Sequence, residues 1–210
     1  LMQLWGFTDQ EYNVPDEDEL AETMKLVGSD QLILEENEAA YITLGEGQGI
    51  DLGGIAKGYA SDRLMEIFEE YDLVSGLISL GGNVDLYGYK PDGSNWKCGI
   101  QDPFAADGGA TLMGVLQAHD CAIITSGAYE RYFVDDNGET YHHIIDPATG
   151  YPAYNGLVSV SIVTPDGLLA DGLSTALYVM GLDDAIEFWR DSCAAGEEFD
   201  MILMTDDEEV

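Results

Sequence analysis

The stretch IDLGGIAKGYASDR, residues 50–63, places three glycines around Lys57, just after Asp51, and continues into a predicted helix. A helix that begins behind glycines presents unpaired backbone N–H groups and the positive end of its dipole, and both favour anions. The spacing fits neither the P-loop nor the dinucleotide-binding motif, because Lys57 is not followed by Ser or Thr. By itself the stretch is either a phosphate site or a tight turn that leads into a helix.

Acidic residues dominate the charge of the chain. Its 210 residues carry 7 Lys and Arg against 41 Asp and Glu, a formal net charge of −34. Such a charge repels nucleic acids and anionic membranes and attracts divalent cations. Nucleic acid and anionic membrane surfaces are therefore excluded as partners, and a phosphate-bearing ligand is expected only beside a basic residue or a bound metal. Lys57 is the one basic residue inside a glycine-rich stretch.

Length and composition indicate one globular domain over residues 1–210. Hydrophobic residues make up 46% of the chain, and no repeat or low-complexity linker interrupts it. The three cysteines, Cys98, Cys121 and Cys193, are far apart and fit no zinc spacing. We therefore expect them to be buried thiols.

Hydrophobic periodicity predicts strands interrupted by a few helices. Helices are predicted over 14–28, 56–68, 165–181 and 183–192, and a hairpin is predicted to turn at Asn137-Gly138. Further strands are predicted over 76–80, 84–89, 96–100, 111–118, 121–127, 157–163 and 199–205, with two short ones within 31–44. Because helices and strands do not alternate regularly, the fold class is α+β.

Three of these elements carry specific expectations about burial. The helix from Ala56 to Phe68 is predicted to face the core through a stripe at helical spacing, formed by Ala60, Leu64, Ile67 and Phe68. The run GLISL, residues 76–80, is predicted to be a buried strand, and LVSVSIV, residues 157–163, alternates as a half-buried strand does.

Asp171 and Thr175 are four residues apart on a predicted helix, so their side chains project from one face. A carboxylate and a hydroxyl without a neighbouring His or Cys suit a hard cation such as Mg²⁺ rather than zinc. The alternative is purely structural: an Asp near the first turn of a helix, and a Thr that bonds back to the carbonyl four residues earlier.

Two further stretches contain residues suited to chemistry. In YHHIIDPATGYP, residues 141–152, a histidine at a strand end beside an acid can act as a general base or contact a phosphate. The alternative there is a surface turn in which Asp146 makes an Asx-type hydrogen bond. In TSGAY, residues 125–129, Ser126 and the Gly127 N–H can approach a ligand. The chain contains no G-x-S-x-G motif, which argues against a Ser-His-Asp hydrolase.

Taken in order, these stretches resemble the ApbE family of FAD:protein FMN transferases. The resemblance runs from Leu4 to about Gly181 through LWGF, IDLGGIAKGYASDR, LISLGGNV, WKCGIQDP, TSGAYERYF, YHHIIDPATGYP and SVSIVTPDGLLADGLSTALYVMG. It implies a single ApbE-like domain, related to the T-fold, with antiparallel or mixed sheets and flanking helices. Family members carry a further N-terminal segment before LWGF, so we expect this chain to correspond to the C-terminal two thirds of the usual length.

The resemblance also implies an activity. Family members bind FAD and Mg²⁺, transfer the FMN half to a Thr hydroxyl of an acceptor protein and release AMP. Acceptors are subunits of membrane redox pumps or flavin-carrying domains, and the location is extracytoplasmic, with anchoring through the N-terminal segment. Some relatives instead hydrolyse FAD to FMN and AMP. A third alternative is a flavin carrier with FMN attached to Thr175.

The roles of single residues follow from the same resemblance. The metal ligands fall on Asp171, Thr175 and the backbone carbonyl of Gly54, and the catalytic residues are His143 and Asp171. Contacts with FAD fall on Asp51, Lys57, Ser126, Gly127, His143 and Ile145. Because His142 occupies a position that is often small and polar in the family, which of the two histidines acts stays open at this point.

Overall fold

The computed structural model describes residues 1–36, 39–105 and 110–206, with the side chain of residue 36 left aside. The chain divides into two compact units. The first unit takes Leu1–Asp51 and Arg131–Ala153, and the second takes Leu52–Glu130 and Tyr154–Val210. The single domain expected from the sequence stays a prediction.

The described residues form four helices and eleven strands. In chain order they are α1 (Glu17–Met24), β1 (Ile33–Glu36), β2 (Ala40–Thr43), α2 (Ala56–Glu70), β3 (Gly76–Leu80), β4 (Asn83–Tyr87), β5 (Trp96–Gln101), β6 (Leu112–Ala118), β7 (Cys121–Gly127), β8 (Tyr132–Val134), β9 (Thr140–His142), β10 (Leu157–Thr164), α3 (Gly167–Met180), α4 (Leu182–Ala195) and β11 (Asp200–Thr205). Every strand pair among these elements is antiparallel, which confirms the α+β class. Among them, no helix is both long and apolar enough to cross a membrane.

Aromatic side chains form the core of the first unit. Trp5 and Phe7, from the motif LWGF, are 0% and 1% exposed. The indole N–H of Trp5 donates to the Gly150 carbonyl at 2.8 Å, and Arg131 donates to the Phe7 carbonyl at 2.5 Å. The rings packed against Trp5 and Phe7 come from both arms of the β8–β9 hairpin and from the adjoining loops: Tyr12, Phe133, Tyr141 and Tyr151. The motif LWGF therefore serves packing in this unit.

The second unit is built on a five-stranded sheet in the order β11-β10-β7-β4-β3. One face of this sheet packs on the β5–β6 hairpin through Leu86, Ile100, Ile123 and Met204. Helices α2 and α3 cover the other face, and α3 packs against both β7 and β10. The two layers explain why β10, predicted to be half-buried, is buried along nearly its whole length.

The predicted ends and faces of three elements need correction. Helix α1 ends at Met24 and not at Gly28. The backbone N–H groups of residues 25–27 bond to carbonyls three residues earlier, which is the geometry of turns and not of an α-helix. Strand β3 is the edge strand of the sheet and not a buried one, and only Ile78 in it is buried. The predicted apolar face of α2 is confirmed only in part. The fully buried residues of α2 are Gly58 and Ser61, and of the predicted stripe Phe68 packs on Tyr87 while Ile67 is exposed.

All three cysteines are free thiols, as predicted, but they are only partly buried. Cys98 and Cys121 pack beside the core between the sheet and the β5–β6 hairpin. Partial burial raises the pKa of the Cys121 thiol to about 11, which keeps the thiol protonated and unreactive at neutral pH.

Close helix contact explains the buried glycine of α2. A Cβ atom on Gly58 would overlap the carbonyl oxygen of Gly167 and would lie 2.8 Å from the Cβ atom of Asp171. The two helices cross where each contributes a glycine, Gly58 and Gly167, so their backbones approach directly. This contact, rather than an apolar stripe, holds α2 against α3.

We expect Gly58→Ala to lower the free energy of unfolding by about 1–3 kcal/mol, because the added methyl group meets backbone atoms that have no room to move. Denaturant unfolding followed by circular dichroism measures this loss. Gly114→Ala is the matched control, since a Cβ atom there would meet nothing within 4 Å. Equal stability of the two variants would contradict the close approach of α2 and α3.

His142 belongs to the core of the first unit. It is 2% exposed, and its Nδ1 accepts a hydrogen bond from the Ile144 N–H at 3.3 Å. Burial lowers the pKa of His142 to about 4, and the neighbouring His143 acts in the same direction. His142 is therefore a neutral, structural residue, and the catalytic role of His143 stays a prediction.

The lowered pKa makes stability depend on pH. Unfolded His142 takes up a proton near its ordinary pKa of about 6.5, whereas folded His142 does so only near 4. Its contribution is therefore complete above pH 6.5 and is lost as the pH falls towards 4. We expect the stability difference between the native chain and His142→Gln to shrink by up to about 3 kcal/mol between about pH 7 and pH 4.5. Urea unfolding at both pH values measures it, and a constant difference would contradict this assignment.

Candidate active site

Asp171 caps a helix to which it does not belong. Gly58 is the third residue of α2, so its N–H has no acceptor inside the helix. The residue that precedes α2, Ile55, provides no side-chain acceptor. Instead the Oδ2 atom of Asp171 accepts from the Gly58 N–H at 2.8 Å. The glycine-rich stretch therefore presents one of its N–H groups, that of Gly58, to a carboxylate of the chain itself.

The second helix is capped in the same way by the first. Asp62 of α2 accepts from the Gly167 N–H through Oδ1 and from the Leu168 N–H through Oδ2, both at 2.8 Å. Asp166, which precedes α3, accepts from the Leu169 N–H at 2.8 Å. Each helix thus supplies an aspartate to the N-terminus of the other, and this pair of contacts fixes the position of Asp171 on α3.

The Asp171 carboxylate is desolvated and lies beside one positive charge. It is 3% exposed, and the Lys57 Nζ atom lies 3.6 Å from its Oδ1. The dipole of α2 adds partial positive charge at the same end of the helix. The 3.6 Å separation is longer than a hydrogen bond, so this pair is an ion pair without direct proton sharing. The side chain of Lys57 remains 42% exposed and faces both Asp171 and solvent.

Three hydroxyl groups lie beside Asp171. The Ser126 Oγ atom, at the end of β7, lies 2.8 Å from Ser174 Oγ and 2.9 Å from Thr175 Oγ1. Ser174 donates to the Asp171 carbonyl at 3.0 Å. The bond back along the helix, considered for Thr175, is thus made by Ser174, while Thr175 faces Ser126. The structure brings Lys57, Ser126, Asp171 and Thr175 into one cluster.

The glycine pair of LISLGGNV lies next to the same cluster. Gly81 and Gly82 form the two-residue turn between β3 and β4 with φ values of +57° and +98°, which glycine adopts without strain. The Cβ position of Gly81 is 4.0 Å from the Lys57 side chain, and that of Gly82 is 3.9 Å from Glu130. Partial desolvation raises the pKa of Glu130, while Lys57 lowers it. Lys57 therefore lies among two acids and a glycine turn.

Two other predicted residues of the second unit have simple surroundings. Gly54 lies in the exposed turn before α2, where a Cβ atom would meet nothing within 4 Å. Gly127 is buried, and a Cβ atom there would lie 2.5 Å from the Tyr129 ring. Within residues 1–36, 39–105 and 110–206, no three His, Cys, Asp or Glu side chains come together as a metal cluster. The ligand set of Gly54, Asp171 and Thr175 contains one acidic side chain and stays a prediction.

The remaining predicted residues belong to the first unit. His143 Nδ1 lies 3.1 Å from the Arg131 carbonyl oxygen, and its ring packs on Phe7 with the ring centres 6.3 Å apart. Ile145 pairs with Pro152 in a short bridge. Asp51 is one of the residues that line a cavity of about 860 Å³, whose lining comes only from the first 51 residues.

The turn that follows His143 is stabilised by its own residues. Asp146 accepts from the Ala148 N–H through its side chain at 2.8 Å and from the Gly150 N–H through its carbonyl at 2.8 Å. This is the Asx-type turn that the sequence offered as the structural alternative for Asp146.

Several residues that build the site were not predicted. Asp62, Ser61 and Glu130 act through contacts with residues far away in the chain, and no local pattern indicated them. Ser174 had a signal, because it precedes Thr175 in LSTAL and lies on a helix that faces a sheet.

Comparison with known proteins identifies relatives of this chain. The model of the ApbE family matches residues 1–196. A protein of Klebsiella pneumoniae named FAD:protein FMN transferase is 33% identical over 210 residues, which are 100% of this chain and 62% of that protein. A protein of Treponema pallidum with the same name is 36% identical over 94% of this chain and 56% of its own length.

Solved structures of the same family share the fold. The ApbE protein of Thermotoga maritima superposes with a TM-score of 0.87 at 36% identity and covers 99% of this chain, which in turn covers 65% of that structure. The flavin transferase ApbE of Vibrio cholerae gives a TM-score of 0.78 at 29% identity over 97% of this chain and 62% of that structure. This chain thus spans somewhat more than half the length of its relatives. On the family match and these likenesses, the chain belongs to the ApbE family.

Proposed function

We propose that the chain forms part of a Mg²⁺-dependent FAD:protein FMN transferase. One observation of the fold carries the proposal: a buried carboxylate, Asp171, is fixed at the N-terminus of α2 beside Lys57, with the hydroxyl of Thr175 on the same face of α3. The names of its relatives support this activity. Transfer from FAD breaks a pyrophosphate, and such chemistry depends on positioned positive charge.

The side chains at Asp171 fit a magnesium ion. The carboxylate and the Thr175 hydroxyl are hard oxygen donors, which Mg²⁺ prefers, and we propose the Gly54 carbonyl as a third. The Oδ1 atom of Asp171 has Lys57 at 3.6 Å, too long for a hydrogen bond, so this oxygen can serve an ion. Bound there, Mg²⁺ would neutralise charge on the phosphates and on the leaving group.

In the proposed reaction, the hydroxyl oxygen of an acceptor threonine forms a bond to the phosphorus of the FMN half. The bond from that phosphorus to the bridging oxygen breaks, AMP leaves with this oxygen, and the hydroxyl proton passes to a base. We propose that Lys57 adds a positive charge for the phosphates and that Ser126 keeps the Thr175 hydroxyl oriented, since their oxygens lie 2.9 Å apart.

Other roles rest on the family resemblance. We propose His143 as the base that takes the proton, and Asp51, Gly127 and Ile145 as further contacts with FAD. The acceptor would be a redox-pump subunit or a flavin-carrying domain with a threonine motif. We also propose an extracytoplasmic location, which fractionation of the source cells would test.

The decisive experiment incubates the protein, at its full natural length, with FAD, Mg²⁺ and a flavin-carrying domain that bears an acceptor threonine. AMP is followed by chromatography, and the acceptor by intact mass. We expect AMP release together with a gain of one FMN on the acceptor. Asp171→Asn should lower the rate by at least about 100-fold, because it removes the charge that holds the metal while leaving an oxygen to cap α2.

Glu187→Gln is the matched control for this prediction. It removes one negative charge from an exposed position of α4 and should leave the rate unchanged. AMP release without a change in acceptor mass would point instead to hydrolysis of FAD to FMN and AMP. An FMN adduct on Thr175 of the purified protein would point to a flavin carrier, and full activity of Asp171→Asn would remove the proposed site.

A further inference from the structure

A second buried carboxylate lies beneath the crossing of α2 and α3. Asp85, in the middle of β4, is 2% exposed and faces the helices. Within the part of the chain that the structure describes, its Oδ2 atom has no hydrogen-bond partner. Neither the sequence motifs nor the proposed reaction uses this residue. A charge buried so deeply costs free energy unless an opposite charge or hydrogen bonds compensate it.

Asp85 lies directly under the start of α3. A Cβ atom added to Gly167 would lie 3.1 Å from Asp85 Oδ1, 2.9 Å from Ser61 Oγ and 2.7 Å from Asp62 Oδ1. Three oxygen-bearing side chains therefore crowd the first residue of α3. Only glycine fits there, so Asp85 touches the contact on which the position of α3 depends.

A short series of hydrogen bonds links Asp85 to Asp171. Asp85 shares a hydrogen bond with the Ser61 hydroxyl. The Ser61 Oγ atom also lies 2.9 Å from the Gly58 carbonyl oxygen, so the single hydroxyl proton of Ser61 is divided between this carbonyl and Asp85. The N–H of the same Gly58 donates to Asp171 at 2.8 Å. The link thus runs through one serine and one glycine of α2.

We propose that Asp85 is a positioning residue: through Ser61 and Gly58 it holds the Asp171 carboxylate in place, and its negative charge strengthens the affinity of Asp171 for a divalent cation. This inference rests on the proposed metal site at Asp171. In this role Asp85 acts on the metal site without contacting the substrate.

The charges around Asp85 give the effect a direction. Burial raises the pKa of Asp85 to about 6, with smaller contributions in the same direction from Asp62 on α2 and Asp171 on α3. The Ser61 hydrogen bond opposes them, and the charge of Asp85 in turn helps to raise the pKa of the Cys121 thiol on the adjacent strand β7. Asp85 is therefore neutral at pH 5 and charged at pH 7.5, and its help to a bound cation appears as the pH rises between them.

The test uses Mn²⁺ as the probe and electron paramagnetic resonance to count free Mn²⁺. The site is defined as the binding that Asp171→Asn abolishes. We expect Asp85→Asn to weaken this binding by about tenfold at about pH 7.5, as is usual when a group behind a metal ligand is lost. The affinity of the native protein should rise between about pH 5 and pH 7.5, and Asp85→Asn should lose that part of the rise which Asp85 supplies.

Two further variants keep the test decisive. Glu187→Gln removes an exposed charge of the same unit and should leave Mn²⁺ affinity unchanged. In Ser61→Ala, which breaks the link, the effect of Asp85→Asn should shrink. If Asp85→Asn does not fold by circular dichroism, weaker Mn²⁺ binding in Ser61→Ala alone supports the link, and unchanged binding overturns it.

Wild-type Mn²⁺ affinity in Asp85→Asn, or a loss no larger than that in Glu187→Gln, would overturn the proposal. So would the absence of any Mn²⁺ binding that depends on Asp171. Because this readout needs neither FAD nor acceptor, it is separate from the transferase assay. If Asp85→Asn weakens Mn²⁺ binding but the native protein transfers no FMN, the transferase proposal fails and the positioning role of Asp85 stands.

Discussion

The exchange of caps between α2 and α3 is the constraint on which the rest of the second unit depends. Asp171 satisfies the Gly58 N–H of one helix, and Asp62 satisfies two N–H groups of the other. Hydrogen bonds to charged groups contribute about 1.5–3 kcal/mol each. The same contacts that hold the helices together therefore also fix the carboxylate on which the candidate site is built.

This arrangement couples folding to function through one residue. If Asp171 served only as a cap, Asn or Ser would satisfy Gly58 equally well. A fully buried carboxylate beside Lys57 is a more costly choice, and its cost is offset by the dipole of α2 and by the ion pair. In a chain with a net charge of −34, one lysine held against an acid gives the site a local charge balance unlike that of the surface.

Local patterns predicted much of the fold but little of what joins its parts. The Asn137-Gly138 hairpin and the end of α3 at Gly181 follow from turn residues and periodicity, and the structure confirms both. The buried face of α2 could not be predicted in this way. It depends on Gly58 meeting Gly167, a contact between residues far apart in the chain.

The residues of the candidate site fall into the same two groups: those that local patterns predict and those that depend on contacts between distant residues. Asp171 and Thr175 were identified as a pair because four residues of a helix place them on one face, and Lys57 because basic residues are scarce. Asp62 and Asp85 could not be predicted as residues of the site, and the reason differs between them. Asp62 looks like a surface residue of a helix, and Asp85 looks like the polar, outward position of an alternating strand. Both are defined by long-range contacts.

Amide hydrogen exchange at Gly58 tests the exchange of caps most directly, because this N–H has no acceptor inside its own helix. The exchange rate is to be measured in the native chain and in Asp62→Asn, which changes the cap of α3 and leaves Asp171, the cap of α2, in place. If the two caps form one unit, exchange at Gly58 should accelerate by about tenfold or more. An unchanged rate at Gly58 would show that Asp171 is held independently of Asp62 and would contradict the account.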